Sequence, residues 1–569
     1  MADGSTRPIE TRRQKCDKRL AGLKHERTSW EPHWRDLARF FLPRRGRFMV
    51  GDKPGGEKRH QDIINGRPLF AARTLSSGMM AGLTSPARPW FRLTTPDPAL
   101  AEQGDVKYWL SDVEQRMRDV FSKSNLYQAL PVFYHELGVF GTACMAALED
   151  DKDVIRFQPF TIGSYWLAQN AAWSVDTFAR EFKMTVRQVV EKFGIDACSI
   201  ATRLAYEQGQ LENWVDVCHL VEPNDERIHG RLDGVGMPWR STYWERGGPA
   251  ESDRMIVLSE KGFRENPILA ARWTVTAEDI YGASPGMDAL GDAKALQVQE
   301  KRKAMAIDKF VDPPMNAPGE MNTTRLSLLP GDVNYLPNPN MKFEPAYQTT
   351  PQIQPLLEDI AALEDRINTA LYADLFLMLT LDARAQPPTA EEIRAREQEK
   401  LLMLGPVLER LNDELLDPMI DRVFQVMLRA GKIPPPPEAL RGIELKVEYI
   451  SVLAQAQKSA GLAGQDRLVG YVANLAAIKP DIMDKIDWDQ SVDEYAQSLG
   501  VPPRIVVDDD QVAGIRQARA DEAAQAKMAQ MAQPAAQAAT AASKLAETVP
   551  QPDSMLANIA GNLAGAVPA

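Results

Sequence analysis

The sequence predicts an α+β chain: a mostly antiparallel β domain, then long antiparallel helices around a small loop subdomain, then a helical C-terminal region. Three observations carry this. Residues 142–283 hold short apolar or alternating runs separated by Asp and Gly, such as CMAALED, DVIRFQPF, SYWLAQN and WVDVCHLV, the period-two pattern of strands. Residues 284–430 read as three long helices broken by a proline-rich loop and a short polar loop. The 569 residues are 44% hydrophobic and 25% charged, an ordinary globular balance in a chain long enough for more than one core.

In chain order, residues 8–41 read as one charged amphipathic helix ending in Trp30, Trp34, Phe40 and Phe41, followed by the basic turn Arg44, Arg45 and Arg47. The aromatics suit a packed helix face, and the turn a solvated or salt-bridged one. Helices follow at 67–84, 105–122 and 126–140, with a strand-like piece in ARPWFRLTTPDP. Residues 184–208 read as helix, and STYWER, MIVLSE and ILAARW as strands. Ser284-Pro285 opens the first long helix, because Ser caps well and Pro is tolerated at the first helical position. That helix runs over 285–310 to Pro313-Pro314. The second carries Ile353, Leu356, Leu357, Ile360, Leu363, Ile367, Leu371 and Leu375 at helical spacing. The third opens with the capping-box pattern Thr389-Ala390-Glu391-Glu392 and should kink at Gly405-Pro406. The strand IELKVEYI and further helices lead to about 500; an Ala- and Gln-rich tail follows from 511, broken at Pro534. One copy of the long helical arm has little to pack against, so its partners should be other copies of the same chain.

Charge and motifs exclude several classes. A formal net charge of −12 is not that of a basic coat for nucleic acid. Cys16, Cys144, Cys198 and Cys218 form no CxxC, so neither a disulfide framework nor a zinc site is expected. No signal peptide and no membrane span are expected either. Gly282-Ala283-Ser284-Pro285-Gly286 matches the nucleophile elbow of esterases, but the residue after the serine must lend its backbone N–H to the oxyanion hole. That residue is Pro285, which has none, and the last histidine, His229, lies upstream. Gly51–Lys58 has the phosphate-loop spacing, yet Glu57 stands where the lysine should be and no strand precedes it. His135-Glu136 lacks a second histidine, and Asp508-Asp509-Asp510 reads as a solvated loop. No enzyme activity and no cofactor are expected.

The ordered pieces resemble the head-to-tail connector, or portal, family of short-tailed bacteriophages, over roughly residues 15–450. They are Trp34-Arg35-Asp36-Leu37-Ala38 with Phe41-Leu42-Pro43-Arg44, Thr84-Ser85-Pro86 with Trp90-Phe91, and Gly138 with Gly141-Thr142-Ala143. Arg272-Trp273, Tyr281-Gly282-Ala283-Ser284-Pro285, Pro313-Pro314, Thr389-Ala390 with Glu392 and Arg396, and Gly405-Pro406 with Pro418 continue the series. The resemblance implies a portal-type fold. Residues 1–283 would be an N-terminal wing, 284–311 and 352–378 the two stem helices, and 312–351 the clip. Residues 379–388 would be the tunnel loop, 389–445 the return helix and strand, 446–510 the crown, and 511–569 a helical barrel or flexible tail. It further implies a ring of twelve copies at one capsid vertex, passing double-stranded DNA without reading its sequence. The implied partners are the packaging terminase, a tail adaptor, and the major capsid and scaffolding proteins, with no membrane. Another oligomeric virion protein, such as a tail adaptor or tube subunit, is the competing expectation.

The second arm helix carries Glu358, Asp359, Glu364, Asp365 and Asp374 against Arg366 alone. In a ring these acids would line a channel and repel phosphate, so that DNA slides. A solvated helix face is the plainer reading. The first arm helix is basic, with Lys294, Lys301, Arg302, Lys303 and Lys309, and is expected to pair with the acidic one in the same or a neighbouring copy. Arg384, in the tunnel loop, would contact backbone phosphates, with Asp382 close enough to offset it.

Overall fold

Thr11 and Gln14 start the first helix by reciprocal capping, and this pattern of local signals repeats along the chain. The computed structural model describes residues 10–45, 62–101, 103–231, 236–246, 257–276, 278–317, 353–381, 404–443, 445–450, 468–472, 485–498 and 511–527, with a few short pieces besides. The chain divides into two compact units: residues 1–96 with 108–463, and residues 97–107 with 464–569.

In the first unit, helices α1 (Arg12–Arg27) and α2 (Glu31–Phe41) replace the single helix expected over 8–41. Pro32 lies in the first turn of α2; its ring would clash with the carbonyl four residues back, so the helix restarts. Helix α3 (Arg67–Leu83) and strand β1 (Phe91–Thr94) follow. The second unit contributes the short helix α4 (Pro98–Ala101). Helices α5 (Gly104–Lys123) and α6 (Leu126–Phe140) then lead to Gly141.

Two antiparallel sheets follow. Strands β2 (Thr142–Asp150), β3 (Val154–Phe160) and β9 (Ile268–Arg272) are ordered β3-β2-β9. Strands β4 (Tyr165–Gln169), β5 (Val175–Thr185), β6 (Trp214–Pro223), β7 (Trp239–Glu245) and β8 (Ser259–Phe263) form the second sheet in sequence order. Helix was expected from 184, but β5 runs through Thr185, whose side chain caps α7 (Val186–Phe193). Gly194 ends α7, and Ser199 caps α8 (Ile200–Glu207). Of the expected strand over 255–260, only its last two residues lie in β8; 255 and 256 are outside the described residues. Cys16, Leu20 and Leu23 of α1 pack on one face of the large sheet, against Trp166, Ala179, Cys218, Leu220 and Trp244. Val189 of α7 covers the other face with Cys198, Val217 and Leu258.

The long helices are more broken than their spacing suggested. Ser284 caps the single turn α9 (Pro285–Asp288), and the chain steps at Ala289 into α10 (Leu290–Val311). Helix α11 (Gln354–Ala370) stops at Leu371-Tyr372, where Tyr372 takes φ +54°, before α12 (Ala373–Leu381). Helix α13 (404–411) is described only from Leu404, so the kink expected at Gly405-Pro406 falls at the edge of the described residues. An irregularity lies later, as a π-helical turn over Asn412–Leu416 that leads into α14 (Asp417–Arg429). Pro418 lacks the N–H that would bond to residue 414, and the widened turn absorbs the gap. Strand β12 (Lys446–Tyr449) returns antiparallel to β1. In the second unit, a helix over Trp488–Ser498 meets another over 511–527 through Asp489 and Arg516, at 2.6 and 2.7 Å. The capping box at Thr389, the tail break at Pro534 and residues 382–388 of the expected tunnel loop lie outside the described residues, whereas 379–381 of that loop are the last turn of α12.

The helical arm and its root as candidate functional site

The arm springs from a junction of segments far apart in sequence. Gly141 ends α6 at φ +76° and turns the chain straight into β2. Its carbonyl accepts from Trp273 N at 2.9 Å, and Thr142 Oγ1 accepts from Gly282 N at 2.8 Å. Gly141 and Gly282 lie back to back, so a Cβ on Gly141 would meet the Gly282 carbonyl oxygen at 2.1 Å. Thr274 and Ala283 bridge beside them. Tyr281 is fully buried, edge-on to Trp34 at 5.0 Å, and its hydroxyl accepts from Leu167 N at 3.1 Å. Burial pushes its pKa well above the ordinary value.

Ser284 completes the root and settles its own chemistry. Its hydroxyl donates to Val139 O at 2.7 Å and accepts from Met287 N at 3.1 Å. The side chain is buried, and both its bonds are structural, so it is a helix cap. His135 sits on α6, where burial, with Arg45 and Arg73 adding, pulls it down to about 4 and keeps it neutral. Among the described residues no cluster of three or more His, Cys, Asp or Glu side chains could hold a metal ion, and no helix is long and apolar enough to cross a membrane.

Arg272 bolts the sheet to the third long helix. Only 4% exposed, it holds Glu414 through Nη2 at 2.6 Å and Nε at 3.1 Å, and its backbone N–H donates to the same carboxylate. Gln169 Oε1 and Trp173 O take its remaining donors at 3.1 and 2.8 Å. Glu414 lies inside the π-helical turn. No sequence signal pairs it with a residue 142 positions away.

The arm itself is an antiparallel pair. Asp292 of α10 meets Arg366 of α11 at 3.1 Å, and Gln299 donates to Asp359 at 2.9 Å, so positions fall on one helix as they rise on the other. The pairing continues past the helices, where β10 (Met315–Asn316) pairs antiparallel with β11 (Glu344–Pro345). The loop before α3 clamps the arm's base. Gln297 Oε1 accepts from Ile64 N and Asn65 N at 2.7 and 2.9 Å, and Asn65 Nδ2 donates to Glu300 and Glu364 at 3.0 and 2.8 Å. This polar clamp was not foreseen from the sequence.

Burial changes abruptly along the arm. On α10 the buried residues are Leu290, Ala293, Leu296 and Gln297, all in its first turns. Beyond them Met305 and Ile307 are exposed, Phe310 is 61% and Val311 74% exposed, and Leu357 on α11 is exposed opposite. Ile360, Leu363, Ile367, Leu371 and Leu375 are buried, as their spacing predicted.

The acidic positions fall in different settings. Glu358, Asp359 and Asp365 stand on the exposed face of α11, with Gln354 and Gln299 donating to the first two. Glu364 is half-buried against Asn65, and Asp374 accepts from Thr369 Oγ1 at 3.0 Å. The expected pairing of a basic first helix with an acidic second is not the arrangement found within the chain: Arg366 of the acidic helix reaches Asp292 of the basic one. Lys294 pairs with Asp36 at 2.6 Å and Lys303 with Glu300 at 2.5 Å. Arg384 lies outside the described residues.

The family model described as bacteriophage head to tail connecting protein matches residues 13–506. The chain is 50% identical over 556 residues to the portal protein of Salmonella phage epsilon15, covering 97% of this chain and 99% of that one. It is 44% identical over 515 residues to the probable portal protein of Bordetella phage BPP-1, covering 90% and 92%. Among solved structures, a chain from the neck of an empty GTA particle computed with C6 symmetry aligns at a TM-score of 0.37 and 11% identity, covering 75% of this chain and 92% of that one. A chain from the neck of a native GTA particle computed with C12 symmetry aligns at 0.34 and 9%, covering 73% and 91%. The relatives' names are those of portal proteins, so the tail-adaptor and tube readings are not favoured. The chain belongs to the bacteriophage head-to-tail connecting protein family, the portal proteins, which are structural parts of the phage particle and not enzymes.

Proposed function

We propose that copies of this chain close into a ring around a channel for double-stranded DNA at the vertex where head meets tail. The observation that carries this is the outer half of the arm, where Met305, Ile307, Phe310 and Val311 project from a helix that buries nothing beyond Gln297. Apolar side chains gathered on a projecting arm ask for covering, and in a closed ring a different face of the next copy meets them at every interface. Residues 284–311 and 352–378 serve as the stem, with 379–388 as the tunnel loop. The β10–β11 pair is the base of the clip, 312–351. The two sheets and their helices form the wing, with 389–445 as its return; 446–510 act as the crown, and 511–569 as its extension. Twelve copies make the ring, with terminase and then a tail adaptor docking on the clip, and capsid and scaffolding proteins around the wing.

Within the ring, Glu358, Asp359 and Asp365 face the passage, with Glu364 and Asp374 flanking them. One exposed carboxylate repels a phosphate by about 1 kcal/mol at 4 Å in water, but a ring repeats it at every copy, so the wall resists sticking. Arg384 supplies a narrow band of phosphate contact without base readout. Electron microscopy of the purified chain, with its rotational symmetry counted, tests the ring. Closed rings with a central hole and a stalk are expected. A chain that stays monomeric at high concentration would refute the proposal.

A further inference from the structure

Register places an unusual row of side chains on the face of the large sheet opposite α1. Arg180 on β5 stands across from His219 on β6, which stands across from Tyr243 on β7. The His219 and Tyr243 rings lie 3.8 Å apart with only 5° between their planes. The Arg180 guanidinium sits over Phe160 and Phe182 at 4.8 and 4.1 Å. Lys192 of α7 holds its ammonium 4.7 Å from the centre of the Tyr243 ring. Lys261 on β8, across from Ser241, adds a third cation, and both lysines are exposed.

Among the described residues the row lacks an anion. Partial desolvation against the Tyr243 ring lowers the Lys192 pKa, and the charges that lower it further are Arg180 and Lys261. Burial also holds His219 well below its ordinary value, and Arg180 and Lys192 add to this, so the imidazole is neutral. Among the described residues none of the three cations makes a salt bridge. Glu245 on the same face is already taken up by Ser199 N, Ser199 Oγ and Thr202 Oγ1 at 2.9, 2.6 and 2.8 Å. His219 Nε2 shares a hydrogen bond with Ser241 Oγ at 3.0 Å, whereas its Nδ1 and the Nε of Arg180 are sealed from solvent with no partner. Like charges gathered in apolar surroundings disfavour one another unless a counter-charge sits among them.

We propose that this aromatic-walled cationic patch on the β5–β6–β7 face receives a carboxylate side chain from a second copy of the chain, an inference that rests on the ring reading above. The chain carries 78 acidic against 66 basic residues, so a neighbouring copy offers carboxylates freely. The exposed Lys192 and Lys261 ammoniums supply the donors a carboxylate needs, and the buried Arg180 charge behind them, hydrogen-bonded to Tyr243, adds to the attraction.

Carbodiimide coupling of the assembled full-length protein tests this, because the reagent joins an ammonium to a touching carboxylate as an amide and takes up the water released. With light and heavy isotope-labelled copies mixed, Lys192 or Lys261 should be joined to an Asp or Glu peptide of the other label. The double variant Lys192→Glu/Lys261→Glu should keep the monomer's Tm and raise the half-assembly concentration about tenfold or more, with Lys192→Gln/Lys261→Gln shifting it less. Coupling only within one label, or none at these lysines in a protein that assembles, overturns the inference and leaves the ring standing. A wild-type chain that never assembles overturns both. If the double variant assembles normally but loses affinity for a short DNA duplex, the patch serves phosphate and the inference fails.

Discussion

Gly141→Ala separates conformational strain from collision at the arm's root. At φ +76° any L side chain is strained by about 1–2 kcal/mol. The new Cβ would also stand 2.1 Å from Gly282 O, 2.7 Å from Gly282 C and 2.8 Å from Ala283 C. These are backbone atoms, pinned by Thr142 Oγ1 and by the bridge to Thr274, so no rotamer change relieves them. The segment must retreat by roughly 1.4 Å to reach ordinary van der Waals contact. That retreat loosens the bonds of Trp273 N, Gly282 N and Ala283 N, each worth about 1 kcal/mol net. Together with the strain, the loss is about 4 kcal/mol, or roughly a thousandfold. Gly209 is the control, since it also has φ +76° but nothing within 4 Å of a built Cβ. Gly209→Ala should cost only the strain, about 1 kcal/mol. Hydrogen exchange at Trp273, Gly282 and Ala283 is the assay, because a chain of two units need not unfold in one step. Exchange at those amides should rise by about three decades in Gly141→Ala and stay unchanged in Gly209→Ala. A rise of less than about tenfold in Gly141→Ala would refute the collision argument.

Ser284→Ala should destabilise the start of the arm by about 1 kcal/mol, read as faster exchange at Met287, with assembly unaltered; failure to assemble would give Ser284 a role beyond capping. Glu114 accepts from Leu93 N at 2.8 Å, and burial pushes its carboxyl up to about 7. Its folded pKa lies above the unfolded one, so the native state binds the extra proton between about 4.5 and 7 and loses stability as pH rises through that window. Protection of the β1 and β12 amides should therefore fall from pH 5 to pH 8, and Glu114→Gln should flatten the profile; an unchanged slope in the variant would assign the effect elsewhere. Phe310→Asp should abolish assembly measured by sedimentation while leaving protection in the large sheet at the wild-type level. A variant that still forms rings would remove the arm tip from the interface.

The parts that were legible in the sequence are those whose signals are local. Alternation marked β2, β3, β4, β6, β7 and β9, and Ser before Pro marked the cap at 284, because each signal sits within the element it specifies. Strand β5 escaped because Arg180, Glu181 and Lys183 interrupt its alternation. Those charges are accommodated by Phe160, Lys24 and Asp216 from other elements, and such partners are visible only after folding. The break at Tyr372 escaped for the opposite reason. Leu371 and Leu375 stay in helical phase across it, and no Gly or Pro marks the left-handed residue. The acids of α11 were legible as a charged face, but not that Glu364 turns inward to Asn65.

The pieces that carried the family resemblance are scattered from Trp34 to Pro418, yet in space several are one object. Trp34 packs on Tyr281, Thr142 holds Gly282, Gly141 holds Trp273, and Ser284 ties back to Val139, three residues before Thr142. A long lever is only as well aimed as its pivot, and side chains constrained from several directions at once tolerate little change. The outer arm obeys a different rule. Nothing on α10 beyond Gln297 is buried by the chain's own residues, so this chain alone does not specify what Phe310 and Val311 touch. Substitutions at the root should therefore weaken the folded monomer, whereas substitutions at the tip should spare the monomer and act on the assembly. That division follows from where burial stops along one helix, and it makes the two halves of the arm separable by experiment.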